Sequence, residues 1–362
     1  MTSLYTPSRE SLAELLDGEP RYRLDQLWDG LYSQLAAPAD ITNVPKALRD
    51  RLAVELPTAL TQQVRSVSDG GDTVKYLWSL ADGSRIETVL MLYPDRVTVC
   101  VSSQAGCAMA CGFCATGQAG FTRQLSVGEI VEQVVLAARD ARTMGRRLAN
   151  VVYMGMGEPM ANLAAVWESV ERLHGALGLS ARHITLSTVG IIPGIRAISE
   201  QQLPINLAVS LHAANNELRD ELVPINKRYP LNELMEACSA YLEAKGRRLS
   251  FEWALIDGVN DRAGDAAELA ALCRRFRLPA HVNLIPLNRT PGYPTVGSSP
   301  AQVASFHRSL VDLGVNATVR RNRGSDIDAA CGQLAAGQPV QIKSAVTRSV
   351  AISSERARLN KD

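Results

Sequence analysis

Three cysteines stand at a C-x3-C-x2-C spacing in Cys107-Ala-Met-Ala-Cys111-Gly-Phe-Cys114. Thiolates are soft ligands suited to iron–sulfur clusters, which four cysteines ordinarily hold. A 4Fe-4S cluster held by only three keeps one iron open, and an open coordination position is where a metal centre meets a substrate. The competing chemistry is a structural zinc site completed by a histidine. The nearest histidines, His174 and His183, lie far along the chain, so the spacing favours the cluster.

Four more polar groups fall where strands are expected to end. Met154-Gly155-Met156-Gly157-Glu158-Pro159 lets backbone approach a ligand at its glycines and offers a carboxylate to an ammonium group. Ser187-Thr188-Val189-Gly190, Ser210-Leu211-His212 and Asn288 supply hydroxyl, imidazole and amide groups suited to ribose or carboxylate. Each is commonplace alone, but their recurrence at successive strand ends is not. Cys100 lies seven residues before Cys107, and Cys331 lies far away in Asp326-Ile-Asp-Ala-Ala-Cys331-Gly-Gln-Leu. From the residues alone, Cys100 reads as a buried strand cysteine and Cys331 as a possible fourth cluster ligand, which would close the open iron. Cys238 and Cys273 fall on apolar helix faces and read as core. Glu87, between Ile86 and Val89 in a strand-like run, reads as solvent-facing.

These groups need a scaffold. Thr73 to Leu80, Arg85 to Leu92 and Val97 to Ser103 are strand-like runs split by turn signals at Asp82-Gly83 and Pro94-Asp95. Beyond Cys114, apolar β-branched runs near 151–153, 184–187, 205–211, 251–256, 281–285 and 317–320 alternate with helical stretches such as 127–143, 163–177, 231–245 and 265–276. Repeated strand–helix units imply a parallel sheet with helices outside. Six or so units are too few to close an eight-fold barrel. The expectation is an α/β fold: a partial, open (β/α)6 TIM-like barrel with chemistry at the carboxyl ends of its strands. A small amino-terminal helical domain (1–72) with interleaved basic residues, among them Arg21, Arg23, Lys46, Arg49 and Arg51, precedes a short β-extension (73–96). The barrel covers 97–334, and a basic tail covers 335–362.

The chain of 362 residues is 46% hydrophobic and 21% charged, which implies a buried core and excludes wholesale disorder. Its net charge of +1 announces no nucleic-acid binder, although a local basic face can hide in a balanced total. No signal-peptide pattern or membrane-length apolar run is present, so a cytoplasmic protein with no membrane partner is expected. Seven cysteines then point to metal binding or chemistry more than to structural disulfides.

The assembled motifs resemble the RlmN/Cfr family of bacterial radical S-adenosylmethionine (SAM) adenine methyltransferases. The resemblance runs from roughly Asp17 to Leu334 and rests on residues 100–117, 154–159 and 326–334. It implies that Cys107, Cys111 and Cys114 hold one 4Fe-4S cluster whose open iron binds SAM. It implies SAM contacts at Gly157, Glu158, Ser187, Ser210, Leu211, His212 and Asn288. Cys331 would take a methyl group from one SAM, and a second SAM would give the 5′-deoxyadenosyl radical that activates it for addition to adenine. Cys100 would then attack the Cys331 sulfur to free the product, with Glu87 as proton acceptor. The implied substrates are an adenine of 23S rRNA in the peptidyl-transferase centre and an adenine of tRNA. An electron donor such as flavodoxin or ferredoxin and action as a monomer complete the expectation. Gly157-Glu158-Pro159 and Gly120-Phe-Thr-Arg123 resemble the C2-methylating RlmN branch more than the C8-methylating Cfr branch, whereas Ser187 to Pro193 resembles both.

Overall fold

The computed structural model describes residues 3–337 except 280, 291, 292 and 295. The basic tail expected at 335–362 therefore lies almost wholly outside the described residues. The chain opens with three helices, α1 (Arg9–Leu15), α2 (Tyr22–Tyr32) and α3 (Lys46–Glu55), followed by four strands, β1 (Thr61–Ser68), β2 (Thr73–Ser79), β3 (Arg85–Leu92) and β4 (Val97–Cys100). A small hairpin of β5 (Gln104–Gly106) and β6 (Phe121–Gln124) encloses the cysteine loop and the short α4 (Ala115–Ala119). After α5 (Val127–Thr143) the alternation is regular: β7 (Asn150–Tyr153), α6 (Leu163–Gly175), β8 (Ile184–Thr188), α7 (Ile192–Glu200) and β9 (Asn206–Ser210). It continues through α8 (Asn216–Leu222), α9 (Leu231–Lys245), β10 (Leu249–Leu255), α10 (Ala263–Arg275), β11 (His281–Pro286), α11 (Pro300–Asp312) and β12 (Ala317–Val319).

One sheet carries the molecule, in the order β1-β2-β3-β4-β7-β8-β9-β10-β11-β12. β1 to β4 pair antiparallel, and from β4 to β12 every pairing is parallel. Six helical crossovers thus join seven parallel strands, and the sheet stays open between β1 and β12. This is the partial TIM-like barrel that six strand–helix units imply, with β12 as a short final strand. Burial explains the parallel part: β10 is buried at all seven positions, as a strand covered on both faces must be.

Local chemistry sets the ends of the helices. At α5, the Ser126 hydroxyl accepts from Glu129 N–H while the Glu129 carboxylate accepts from Ser126 N–H, satisfying two otherwise unpaired donors. At α9, Gly246 takes the left-handed conformation that ends the helix. The amino-terminal helices share the barrel's hydrophobic core, to which Leu12, Leu27, Leu31, Leu48 and Leu52 belong. Within 1–72, β1 is a strand where only helices are expected. It is an edge strand whose first five residues are exposed, so it lacks the apolar alternation that marks a half-buried strand.

Candidate active site

The cysteine loop is shaped by backbone bonds. Cys107 N–H donates to Gly120 O at 2.7 Å and Cys114 N–H to Cys111 O at 3.2 Å. Gly106 sits at φ +78°, and a Cβ there would lie 2.0 Å from Gly120 O, so only glycine lets the hairpin close behind the cysteines. The loop follows β5, not β4 directly as the sequence implies, because the strand from Val97 stops at Cys100 and Gln104–Gly106 turns aside to pair with β6.

A cavity of about 160 Å3 lies at the carboxyl ends of the parallel strands. Cys107, Cys111, Cys114, Gly157, Glu158, Ser187, Ser210, His212, Asn288 and Cys331 all line it. Three of the expected site residues do not. Leu211 is fully buried and acts through its backbone, with its carbonyl accepting from Arg219 Nε at 3.1 Å. Cys100 is buried at the end of β4, opposite Val89 and Val152. Glu87 is also buried, at 4% exposure, and does not face solvent as the strand pattern suggests. Its carboxylate pairs with Lys75 Nζ at 3.0 Å and accepts from the N–H groups of Ala335 and Ala336 at 2.9 and 3.0 Å.

Each loop is fixed by its neighbours. Gly157 sits at φ +103° with Gln104 so close that a Cβ would clash, and Glu158 N–H donates to Gln104 Oε1 at 2.7 Å. The Glu158 carboxylate accepts from Met160 N–H and Val189 N–H, at 3.0 and 2.8 Å. Burial lifts its pKa to about 7 against those two donors. Ser187 Oγ donates to Tyr153 O at 2.5 Å, tying the ends of β7 and β8. His212 takes a left-handed backbone, and its Nδ1 accepts from Ala254 N–H at 3.0 Å. That bond requires the neutral ring, in keeping with a pKa pushed down to about 3 by burial and by Arg219. Asn288 Nδ2 donates to the Cys331 carbonyl at 3.1 Å, coupling the segment after β11 to the loop of Cys331.

The thiols are all free. Burial pushes Cys100 and Cys107 up to about 12 and Cys111 well above the ordinary value. Cys331, exposed at the cavity wall, is also raised, by desolvation first and with Arg320 opposing. Among the described residues, no three His, Cys, Asp or Glu side chains converge as ligands of one metal ion.

The sequence gives no hint of one residue that organises the site. Arg219 is fully buried in α8 and donates to Leu211 O, Val189 O and Ser210 O, at 3.1, 2.6 and 3.1 Å, and to Asn226 Oδ1 at 2.8 Å. One guanidinium therefore fastens the loops after β8 and β9. Arg219→Met is expected to lower the unfolding free energy by roughly 2–4 kcal/mol, since the carbonyls it serves lose their donors. Urea denaturation checks this, and an unchanged midpoint contradicts it.

Comparison with known proteins follows this geometry. The profile of the Radical SAM superfamily matches residues 101–270. The dual-specificity RNA methyltransferase RlmN of Chloroflexus aurantiacus is 49% identical, covering 94% of each chain. The chain belongs to the RlmN family. The RlmN protein of a Parafrankia species is 50% identical over 94% of this chain and 92% of its own. A crystal structure of a radical SAM methyltransferase from Sphaerobacter thermophilus superposes with a TM-score of 0.91 at 50% identity, covering 93% of this chain and all of that one. RlmN membership accounts for the radical SAM barrel and for the three-cysteine loop at its mouth. No helix among the described residues is long and apolar enough to cross a membrane.

Proposed function

We propose that this chain methylates C2 of an adenine in the peptidyl-transferase centre of 23S rRNA, and of an adenine in tRNA, through an S-methylcysteine at Cys331. The observation that carries this reading is that Cys331, over 200 residues from the cysteine loop, opens into the same cavity as Cys107, Cys111 and Cys114. Those three would hold the 4Fe-4S cluster. When bound, the cluster supplies the electron that cleaves SAM reductively to a carbon radical.

The chain's own residues do the rest. Glu158 would meet the ammonium group of SAM, whose positive charge favours the carboxylate against the burial that raises its pKa. Gly157, Ser187, Ser210, His212 and Asn288 line the remaining wall, and Leu211 contributes backbone. Cys331 loses its proton and its thiolate attacks the methyl carbon of a first SAM; the new sulfur–carbon bond forms as the methyl–sulfonium bond breaks and S-adenosylhomocysteine leaves. C2 of adenine is electron-poor and has no lone pair, so it cannot attack a SAM methyl directly. A hydrogen-abstracted S-methyl carbon on Cys331 avoids that requirement. That carbon, one hydrogen atom short, bonds to C2; the adduct gives up its unpaired electron to the electron carrier and loses the C2 proton. The Cys100 thiolate then attacks the Cys331 sulfur, the sulfur–carbon bond breaks with its electron pair going to carbon, the carbon takes a proton to become the methyl group, and a Cys100–Cys331 disulfide remains for an external dithiol to reduce. The resemblance gives Glu87 as the proton acceptor, at a carboxylate that here pairs with Lys75 and accepts from the N–H groups of Ala335 and Ala336. An electron donor such as flavodoxin or ferredoxin serves the cluster, and the enzyme acts as a monomer in the cytosol.

The test is nucleoside mass spectrometry after incubating anaerobically reconstituted protein with SAM, a reductant and unmodified 23S rRNA fragments. The expected product is 2-methyladenosine. An 8-methyladenosine product would move the chain to Cfr chemistry. Uncleaved SAM with unmodified RNA would leave a cluster protein that does not methylate.

A further inference from the structure

A second cavity, of about 500 Å3, adjoins the first within the open barrel. The two share Met154, Glu252 and Arg320 in their walls. Five arginines line the second cavity: Arg96, Arg248, Arg320, Arg321 and Arg323. Its one acidic lining residue, Glu252, is already engaged by Ser250 Oγ at 2.9 Å and Asn283 Nδ2 at 2.8 Å, with Arg320 at 3.9 Å. Arg96 pairs with Asp95 at 2.9 Å and Arg323 with Asp72 at 3.9 Å, both outside the lining, so the uncompensated positive charge of this wall sits on Arg248 and Arg321. A concave wall focuses such a field.

The cations are also ordered. Arg96 and Arg323 both stack on the Tyr93 ring, at 4.2 and 4.3 Å from its centroid. Arg323 reaches across the open seam of the barrel to donate to Leu92 O at 2.9 Å. Arg248 and Arg321 are exposed and make no ion pair among the described residues. Three basic residues of the amino-terminal helices are held by neighbours. Arg23 donates to Asn43 O at 2.8 Å, Arg51 to Leu15 O at 3.2 Å, and Lys46 pairs with Asp50 at 2.6 Å.

We propose that this chamber is the path and the phosphate clamp for the RNA: phosphates flanking the target adenine rest on Arg96, Arg248, Arg321 and Arg323, while the unstacked base passes Arg320 to reach Cys331. The proposal rests on the RNA-methyltransferase reading above and adds the site that holds the substrate. A lone small anion needs one or two cations, whereas a polynucleotide presents several phosphates at once. The Tyr93–arginine stack offers a flat surface for a neighbouring base. The amide and hydroxyl groups of Asn206 and Thr318 in the same wall can meet ribose or base edges.

The test is fluorescence anisotropy with a labelled RNA stem-loop carrying an unpaired adenine, on the full reconstituted chain, as a function of salt. Arg248→Ala with Arg321→Ala should weaken binding about ten-fold near 0.1 M salt and reduce the log–log salt slope by about 1.4, for two lost phosphate contacts on single-stranded RNA. Arg248→Lys with Arg321→Lys keeps the charges and should stay within about three-fold of the native chain, which separates charge from misfolding. Arg196→Ala with Lys227→Ala, two exposed cations lining neither cavity, should bind as the native chain does. If the native chain binds RNA and the alanine pair matches it in affinity and slope, the chamber is not the clamp, while the methyltransferase reading survives. If the native chain neither binds nor methylates RNA, both fail together.

Discussion

Cys331→Ala is expected to fold normally and to lose formation of methylated adenine. The side chain is exposed at the cavity wall, and its loop is held by backbone that alanine keeps: the Cys331 carbonyl accepts from Asn288, and Gly332 O accepts from Ala115 N–H at 2.8 Å. Loss of an exposed thiol costs little stability, within about 0.5 kcal/mol. It removes the only acceptor for the first methyl group, so product should fall at least about a thousand-fold, as expected when a covalent nucleophile is lost. Cys238→Ala, in the buried face of α9, is the control: it loosens the core but keeps the chemistry. Nucleoside mass spectrometry on both variants decides this. A Cys331→Ala chain that retains more than a few per cent of native product contradicts the covalent route.

Cys100→Ala has a different consequence. The carbon delivered to adenine is still bonded to the Cys331 sulfur until a second thiol attacks that sulfur. On the proposed route that thiol is Cys100, buried at the end of β4. Cys238 and Cys273 are buried in helices on the outside of the sheet, and Cys107, Cys111 and Cys114 are taken up by the proposed cluster. Turnover should fall at least about a hundred-fold, with RNA accumulating as a covalent adduct of the protein. A denaturing gel shows it as a slow band that nuclease collapses. Free methylated RNA released at the native rate would rule out the disulfide step.

The barrel was legible because its strands are apolar runs separated by amphipathic helices, and both periods survive in the linear chain. The helices at 127–143 and 231–245 and the strand at 85–92 have the bounds that their patterns imply. The ligand-facing groups were legible for a related reason. Parallel strands put their carboxyl ends on one side, so Glu158, Ser187, Ser210, His212 and Asn288 had to meet if the alternation was real.

Features that depend on distant partners were hidden. Glu87 resembles a solvent-facing strand residue because its cover, Ala335 and Ala336, comes from 248 and 249 residues away. Arg219 resembles an ordinary helix charge, since nothing local says that three carbonyls from two loops converge on it. β5 and β6 are too short to show any period, and β1 shows none because its outer face is bare. The arginine chamber gathers residues from 96, 248 and 320–323, separate in sequence and masked by a balanced total charge.

The central claim is that the methyl carbon passes through Cys331. It is tested most directly by charging the native chain with carbon-13-methyl SAM, removing free SAM, and starting one turnover with unlabelled SAM, reductant and RNA. The account predicts that the first 2-methyladenosine formed carries the label, up to one per chain, as the label leaves the Cys331 peptide. Unlabelled product in that first turnover, with the label still on the peptide, would contradict it.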